Sequence, residues 1–155
     1  MAGPILNRVV KDFKSAATRD QQVRLKDLRG KKVVLYFYPK DATPGCTTEG
    51  QDFRDLHAKF KRSNAVVFGV SRDSLASHEK FRAKQKFPFD LLSDPDENLC
   101  RQFDVIREKS LYGRKFMGIE RSTFLIDEDG KLRKEWRKVR VKGHVAEVLD
   151  AVKNC

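Results

Sequence analysis

Cys46 is the residue of this chain best placed to act as a nucleophile. It ends the run Thr43-Pro-Gly-Cys46, in which Thr43 is a good helix N-cap and Pro44 suits the first helical position, so that Cys46 falls third. Free backbone N–H groups and the helix dipole favour negative charge in this first turn. Because the thiolate is the reactive form of cysteine, the spacing predicts a nucleophile rather than the small buried hydrophobe that a lone cysteine commonly is.

A short apolar run precedes this turn and must position it. Val33-Val-Leu-Tyr-Phe-Tyr38 follows two lysines and stops at Pro39, which predicts a buried strand. In α/β proteins, ligands bind in the crevice outside the carboxyl ends of such strands. The polar neighbours of Cys46 are also unlike those of a core position. The sequence therefore predicts a site where this strand ends and the helix begins.

Strands and helices alternate along the rest of the chain. The apolar patterns predict strands at 22–25, 65–70, 89–92, 123–126 and 132–141, and helices after Cys46, at 75–86, at 97–103 and near the C-terminus. Residues 105–118 are predicted to be loop-like, and 127–130 to form a hairpin turn. This order predicts an α/β fold in which helices flank a mixed central sheet.

Length and composition fit one ordinary domain. The chain has 155 residues, of which 39% are hydrophobic, so we expect a single domain over 1–155 with one core. No apolar run approaches the ~20 residues that span a bilayer, and no signal peptide is recognised. Cys46, Cys100 and Cys155 are odd in number and widely spaced, unlike a secreted disulfide framework. We therefore expect a cytoplasmic protein.

The residues around Cys46 resemble a known enzyme family. Pro39-x-x-x-Thr43-x-x-Cys46 is similar to the active-site signature of the peroxiredoxins, and residues 36–49 resemble their bacterioferritin-comigratory, or Q-type, branch. The resemblance extends through 25–30, 91–94, 120–124 and 136–139, and so covers nearly the whole chain. It implies a thioredoxin-like fold. It also implies a thiol peroxidase that reduces hydrogen peroxide and organic hydroperoxides to water and alcohols without a cofactor.

The same resemblance assigns roles to five residues. Cys46 supplies the thiolate, and the Thr43 hydroxyl can donate to the peroxide or the sulfur besides capping the helix. Pro39 bounds the pocket, although it could simply end the strand. Spacing alone makes Arg121 an exposed charge at a strand end. The resemblance instead makes it the guanidinium that stabilises the thiolate and the transferred oxygen. Glu49 is implied to orient that guanidinium.

The sequence departs from that of many relatives in the second thiol, which resolves an oxidised Cys46. In the implied cycle Cys46 becomes a sulfenic acid, a second thiol forms a disulfide with it, and thioredoxin, glutaredoxin or a small thiol reduces that disulfide. Where many relatives carry the resolving cysteine this chain has Gln51, and the other known place, near Arg82, lacks one too. Cys100 is predicted to be a packed thiol, with a resolving role left open, and Cys155 is terminal. We therefore expect a one-cysteine cycle resolved by an external thiol. The branch that the chain resembles is often monomeric, which implies a monomer.

Two other kinds of site have weaker support in the sequence. No metal-binding motif is present, because the three histidines are scattered and no Cys-x-x-Cys occurs. The net charge of +11 leaves a nucleic-acid-binding module as the alternative of another class. Residues 131–142 place seven lysines and arginines around Trp136, and an aromatic among cations can bind nucleic acid. A solvated strand face with Trp136 packed inward is the favoured interpretation.

Overall fold

The fold is taken from a computed structural model, which describes residues 3–155. Its strands are β1 (Lys14–Ala17), β2 (Gln21–Arg24), β3 (Lys32–Phe37), β4 (Ala65–Ser71), β5 (Asp90–Ser93), β6 (Ile106–Leu111), β7 (Arg114–Ile119), β8 (Ser122–Ile126) and β9 (Leu132–Trp136). Its α-helices are α1 (Pro44–Arg62), α2 (Leu75–Gln85), α3 (Asn98–Gln102) and α4 (His144–Lys153). In this part of the chain, no helix is both long and apolar enough to cross a bilayer.

A seven-stranded mixed sheet forms the centre of the molecule. Its strand order is β2-β1-β5-β4-β3-β8-β9. β3 pairs in parallel with β4 on one side and antiparallel with β8 on the other. β6 and β7 form a separate antiparallel hairpin. This arrangement confirms the predicted mixed sheet with flanking helices.

The alternation of side chains along β3 divides the core into two layers. Val33, Leu35 and Phe37 belong to one apolar cluster, and the side chains between them belong to the other. This follows from the strand geometry, in which successive side chains point to opposite faces. The second layer contains residues of α1, α2 and α4, whereas the first contains residues of α3 and of the N-terminal segment.

Helix α1 begins at Pro44, as predicted. Thr43 has extended backbone angles at the N-cap, with φ −80° and ψ 155°. Its side chain does not cap the helix, because Oγ1 donates to the Lys40 carbonyl at 2.8 Å. Phe53 of the helix stacks on Tyr36 of β3 with ring centroids 4.4 Å apart. Such a pair contributes ~0.5–1.5 kcal/mol beyond its buried area and fixes α1 against the sheet.

The prediction of a loop over residues 105–118 is wrong, because β6 and β7 form a hairpin there. The two strands pair in register up to a two-residue turn, Tyr112 and Gly113. Both turn residues have positive φ, 50° and 77°, as a type I′ turn requires. The usual sequence signal for this turn is Asn-Gly or Asp-Gly, and the strands are largely polar. Neither pattern therefore indicated a hairpin.

The strand predicted at 132–141 is too long, since β9 ends at Trp136. Arg137 leaves the strand and turns inward. Its Nη1 donates to the Asp104 carbonyl at 2.7 Å, and its Nη2 donates to the Phe103 carbonyl at 2.9 Å. These two bonds attach the chain after Trp136 to the segment before β6. The alternating charges of the sequence did not indicate this contact.

Gly50 tests how closely α1 packs on its neighbours. At an open helical position, replacing glycine with alanine stabilises a protein by about 0.5–1 kcal/mol. Here a Cβ on Gly50 would overlap the ring of the buried Phe87. We therefore expect Gly50→Ala to lower the free energy of unfolding by about 1–2 kcal/mol, measured by urea denaturation.

A double-mutant cycle supplies the control for this prediction. If the Phe87 ring is the obstacle, Gly50→Ala should cost at least about 1 kcal/mol less in a Phe87→Leu background than in the wild type. A Gly50→Ala protein as stable as the wild type would show that the ring yields without cost, contrary to the prediction.

Candidate active site

Cys46 lies at the third residue of α1, as the sequence predicts. Its side chain is buried, with 2% exposure, in the cluster that contains Tyr36, Tyr38 and Phe53. An apolar surrounding disfavours charge. The chemistry of this sulfur therefore depends on which polar group reaches it.

Arg121 reaches the sulfur from a distant part of the chain. It stands directly before β8, and its Nη2 lies 3.4 Å from Cys46 Sγ. Its Nη1 donates to Glu49 Oε1 at 2.6 Å. Only 15% of the Arg121 side chain is exposed. The structure therefore places a half-buried cation in contact with both the thiol and the carboxylate, and not the exposed strand-end charge that spacing alone predicts.

Gly45 makes room for this contact. A Cβ at Gly45 would lie 3.2 Å from Arg121 Nη2, which is tighter than most contacts of a real Cβ. Any side chain at this position would push the guanidinium away from Cys46. The sequence marked Gly45 only as the second residue of the helix, because the approach of Arg121 is not visible in the local pattern.

Glu49 is buried completely, one turn after Cys46. Its Oε1 bonds Arg121, whereas Oε2 accepts no hydrogen bond from any residue of the described chain. Burial raises the pKa of Glu49 to about 7, and Arg121 offsets only part of that rise. Burial would lower the pKa of Arg121, but the charges of Glu49 and Cys46 raise it above its ordinary value. The guanidinium therefore stays charged while Glu49 titrates near neutrality.

Thr43 and Pro39 are both half-buried at the edge of the site. The Thr43 hydroxyl gives its proton to the Lys40 carbonyl, so it has to rotate before it can donate to a peroxide. Pro39 follows the end of β3 at a bend in the chain. The roles assigned to these two residues stay predictions.

A buried polar network holds the loop 39–43, and the sequence did not indicate it. Asp41 accepts hydrogen bonds from Tyr38 Oη at 2.7 Å and from Ser77 Oγ at 2.8 Å. His78 Nδ1 lies 2.7 Å from Asp41 Oδ2. These bonds tie the loop to α2. Because two of the partners come from another element, no local pattern could mark the network.

Asp41, His78 and Asp73 also have the composition of a metal site, with potential ligand atoms within 4.8 Å of one another. Their polar atoms already have partners within the protein. Asp73 Oδ2 accepts from Ser71 Oγ and from the backbone N–H of Asp41, besides the bonds that Asp41 accepts. We interpret the group as a hydrogen-bonded brace for the loop.

Cys100 lies on the other side of the sheet from Cys46. It is fully buried in the layer that contains Leu35 and Phe37, whereas Cys46 belongs to the opposite layer. Burial raises the pKa of the Cys100 thiol, and the charge of Asp94 raises it further. The position of Cys100 across the sheet and the raised pKa of its thiol both oppose an attack on Cys46.

Cys155 lies at the far end of the sheet. Lys32 Nζ donates to the Val152 carbonyl at 2.8 Å, which places the end of α4 at the start of β3. Cys46 follows the other end of β3, a strand of six residues that spans roughly 20 Å. All three cysteines are free thiols. Cys100 and Cys155 therefore lie apart from Cys46 in this fold, the first across the sheet and the second at its far end.

The basic segment 131–142 is not a single open cationic surface. The Arg137 guanidinium lies over the ring of Phe124, 5.1 Å from its centroid, besides bonding backbone carbonyls. Trp136 is half-buried and packs edge-on against His144 with centroids 5.8 Å apart. These contacts remove Arg137 and part of Trp136 from any surface that could bind nucleic acid.

Comparisons with known proteins agree with the geometry. Residues 6–135 match the model of the AhpC/TSA family. The chain is 53% identical over 143 residues to peroxiredoxin Bcp of Bacillus subtilis, which covers 92% of this chain and 91% of that protein. It is 55% identical over 132 residues to peroxiredoxin Bcp of Xanthomonas campestris, with 85% and 82% covered.

Solved structures show the same relationship. The X. campestris bacterioferritin comigratory protein, described for alkyl peroxide reduction, superposes with a TM-score of 0.88 at 51% identity, covering 92% of this chain and 90% of that one. A cysteine-to-serine mutant of Xylella fastidiosa PrxQ superposes with a TM-score of 0.94 at 43% identity, covering 99% and 98%. The predicted thioredoxin-like fold is confirmed, and the class is that of cysteine-based peroxidases. The chain belongs to the AhpC/TSA family and, within it, to the Bcp-type peroxiredoxins.

The titration of Glu49 should make stability depend on pH. Its pKa rises from an ordinary 4.5 to about 7 in the fold, so the unfolded chain ionises first as pH increases. The carboxyl therefore has its full stabilising effect below pH 4.5 and loses it as pH rises to about 7. Over this range we expect the wild-type residue to lose about 1–3 kcal/mol of unfolding free energy relative to Glu49→Gln, measured by urea denaturation.

Both proteins in that comparison should carry Cys46→Ser, which keeps oxidation of the thiol out of the measurement. Asp55→Asn is the matched control, because Asp55 lies on the exposed side of the same helix with 63% exposure. The difference in unfolding free energy between Asp55→Asn and its parent protein should not show the pH dependence expected for Glu49. A Glu49→Gln difference that is constant with pH would show that folding does not shift the pKa of Glu49.

Proposed function

We propose that Cys46 is the nucleophile with which this peroxiredoxin reduces hydrogen peroxide and organic hydroperoxides. The observation that carries the proposal is the 3.4 Å contact between Arg121 Nη2 and Cys46 Sγ. A buried guanidinium at this distance stabilises a thiolate and also the negative charge that grows on the leaving oxygen. The alkyl peroxide reduction described for the X. campestris protein supports organic hydroperoxides as substrates.

The reaction transfers one oxygen atom. The thiolate sulfur of Cys46 attacks the terminal peroxide oxygen, so that an S–O bond forms while the O–O bond breaks. The leaving alkoxide takes up the proton that the thiol gave up, and leaves as an alcohol, or as water from hydrogen peroxide. Cys46 becomes a sulfenic acid. In this proposal Arg121 stabilises the charge, Thr43 donates to the peroxide after its hydroxyl rotates, Glu49 orients Arg121, and Pro39 limits access of water.

We infer that an external thiol resolves the sulfenic acid in a one-cysteine cycle. Cys100 lies across the sheet and Cys155 at its far end. Gln51 occupies the place of the usual resolving cysteine, and its side chain bonds Gln85 of α2 at 2.9 Å. The external thiol forms an S–S bond with Cys46 as hydroxide leaves with the thiol's proton as water, and a second thiol then releases Cys46. Thioredoxin, glutaredoxin or a small thiol can fill this role.

We further propose that the protein acts as a monomer in the cytoplasm. Cys46, Glu49 and Arg121 all come from one chain, so the site is complete without a second copy. All three cysteines are free, and Cys155 is exposed, as a reducing compartment allows.

Peroxide consumption by variants tests the assignment of the nucleophile and its cation. Cys46→Ser should abolish it. Arg121→Gln should lower the second-order rate constant with hydrogen peroxide by about 10²–10³, because one preorganised donor to the developing charge is lost. Stopped-flow measurement with excess reductant gives both values. Arg133→Gln, which removes a distant surface charge, should leave the rate unchanged, and an active Cys46→Ser protein would refute the assignment.

Intact-mass measurement after one equivalent of peroxide tests the one-cysteine cycle. We expect the mass of one added oxygen, in the wild type and in Cys100→Ser alike, since no second thiol can reach Cys46. A loss of two hydrogens within the monomer that Cys100→Ser abolishes would establish the two-cysteine cycle instead.

A further inference from the structure

Lys109 is a cation beside the active site that the peroxidase chemistry does not use. It lies in β6 opposite Phe116 of β7, and side chains of directly paired residues lie on one face of a hairpin. Its aliphatic stem passes over Gly118, where a Cβ would lie 3.2 Å from Lys109 Cδ and 3.5 Å from Cε. The missing side chain of Gly118 therefore provides the groove in which this stem lies.

The hairpin formed by β6 and β7 leads into Arg121, the residue that contacts the Cys46 sulfur. β7 ends at Ile119, and the chain then runs through Glu120 into Arg121, which contacts Cys46. Burial lowers the pKa of Lys109, the charge of Arg121 lowers it further, and negative charge at Cys46 and Glu120 raises it in part. The stem of Lys109 runs from its position opposite Phe116 to Gly118, three residues before Arg121, and so extends along the hairpin toward the active-site end.

Lys109 makes no ion pair or side-chain hydrogen bond with any residue between 3 and 155. Two other cations of the hairpin are paired, Arg107 with Asp104 at 2.9 Å and Lys115 with Glu108 at 3.7 Å, whereas Arg114 beside the turn is exposed. Lys109 is half-buried, and taking a charge partly out of water without a partner is unfavourable. Its ammonium is therefore available to an anion that enters the site.

The surface next to Lys109 is apolar. Phe116 is 45% exposed, and its ring edge lies 3.3 Å from the position of a Gly118 Cβ, beside the lysine stem. Leu111, on the same face of the hairpin, is also exposed. A cation next to an aromatic ring fits a small organic anion, in which a carboxylate is joined to an apolar body.

We propose that Lys109 binds the carboxylate of small molecules that react at Cys46, with their apolar part against Phe116. The inference rests on the proposed function of Cys46 and adds a preference for anionic reactants over neutral ones. The carboxylate has two possible sources: the hydroperoxide in the first step, or the thiol that reduces the sulfenic acid in the second. Lys109 takes no part in bond exchange in either step, and acts by holding the reactant near the sulfur.

Matched pairs of reactants test the proposal. Cumene hydroperoxide is compared with its para-carboxylate derivative for oxidation of Cys46, and 2-mercaptoethanol with mercaptoacetate for reduction of the sulfenic acid, by stopped flow. The measured quantity is the ratio of the anionic to the neutral rate constant, which cancels any general effect on Cys46. Lys109→Met should lower this ratio about tenfold for at least one pair, and that pair identifies the source of the carboxylate.

Salt and charge-matched variants supply the controls. The advantage of the anionic reactant should shrink as ionic strength rises above about 0.1 M, where the screening length is about 10 Å. Lys109→Arg should keep the ratio. Lys115→Met removes the same charge from the same hairpin at a side chain that is 77% exposed, and should also leave the ratio at its wild-type value.

Two results would overturn the proposal. The first is a ratio in Lys109→Met equal to that of the wild type for both pairs. The second is an equal fall in Lys115→Met, which would show that the effect comes from net charge alone.

If Lys109→Met does not fold, inhibition of the wild type replaces it. 4-Isopropylbenzoate should then inhibit consumption of cumene hydroperoxide more than its neutral amide does, and equal inhibition would overturn the proposal. A failure of Cys46 as nucleophile is distinguishable, because the neutral reactants would then not react either.

Discussion

The contact of one guanidinium with one sulfur is the interaction on which this site depends. Arg121 donates to Glu49 through Nη1 and approaches Cys46 through Nη2, although it is separated from them by 72 and 75 residues. A buried charge is stable only where it is paired and hydrogen-bonded. Arg121 and Glu49 therefore need each other, since the loss of either leaves the other without its ion-pair partner. The functional arrangement is at the same time a condition of local stability.

The rest of the scaffold serves to bring those three groups together. The antiparallel pairing of β3 and β8 sets Phe37 opposite Ser122, so that the residue before β8 arrives where β3 ends and α1 begins. Gly45 leaves the space for the guanidinium. The stacking of Phe53 on Tyr36 holds α1 on the sheet, and the hydrogen bonds to Asp41 hold the loop that leads into the helix. Most of these contacts join elements that are distant in sequence.

The same sheet that builds the site also isolates its sulfur. Cys100 is enclosed in the layer behind the strands, and Cys155 lies at the opposite end. Reduction of an oxidised Cys46 by either thiol would require the sheet or its helices to open. An external reductant does not have to cross the sheet, because Cys46 lies where β3 ends and α1 begins. This difference is the basis of the proposed one-cysteine cycle.

The sequence by itself determined the strand that ends at Pro39, the helix that begins at Pro44 and the place of Cys46 in its first turn. These features depend on signals within a few residues: an apolar run, a proline, an N-cap and a helical spacing. The tertiary structure alone decided that Arg121 is buried against Cys46 and that the Thr43 hydroxyl turns to the Lys40 carbonyl. It also formed the hairpin over residues 106–119 and the strand β1 between β2 and β5. These depend on pairing and packing between distant segments, in which contacts outweigh the weak local preferences of polar residues, so no pattern along the chain could reveal them.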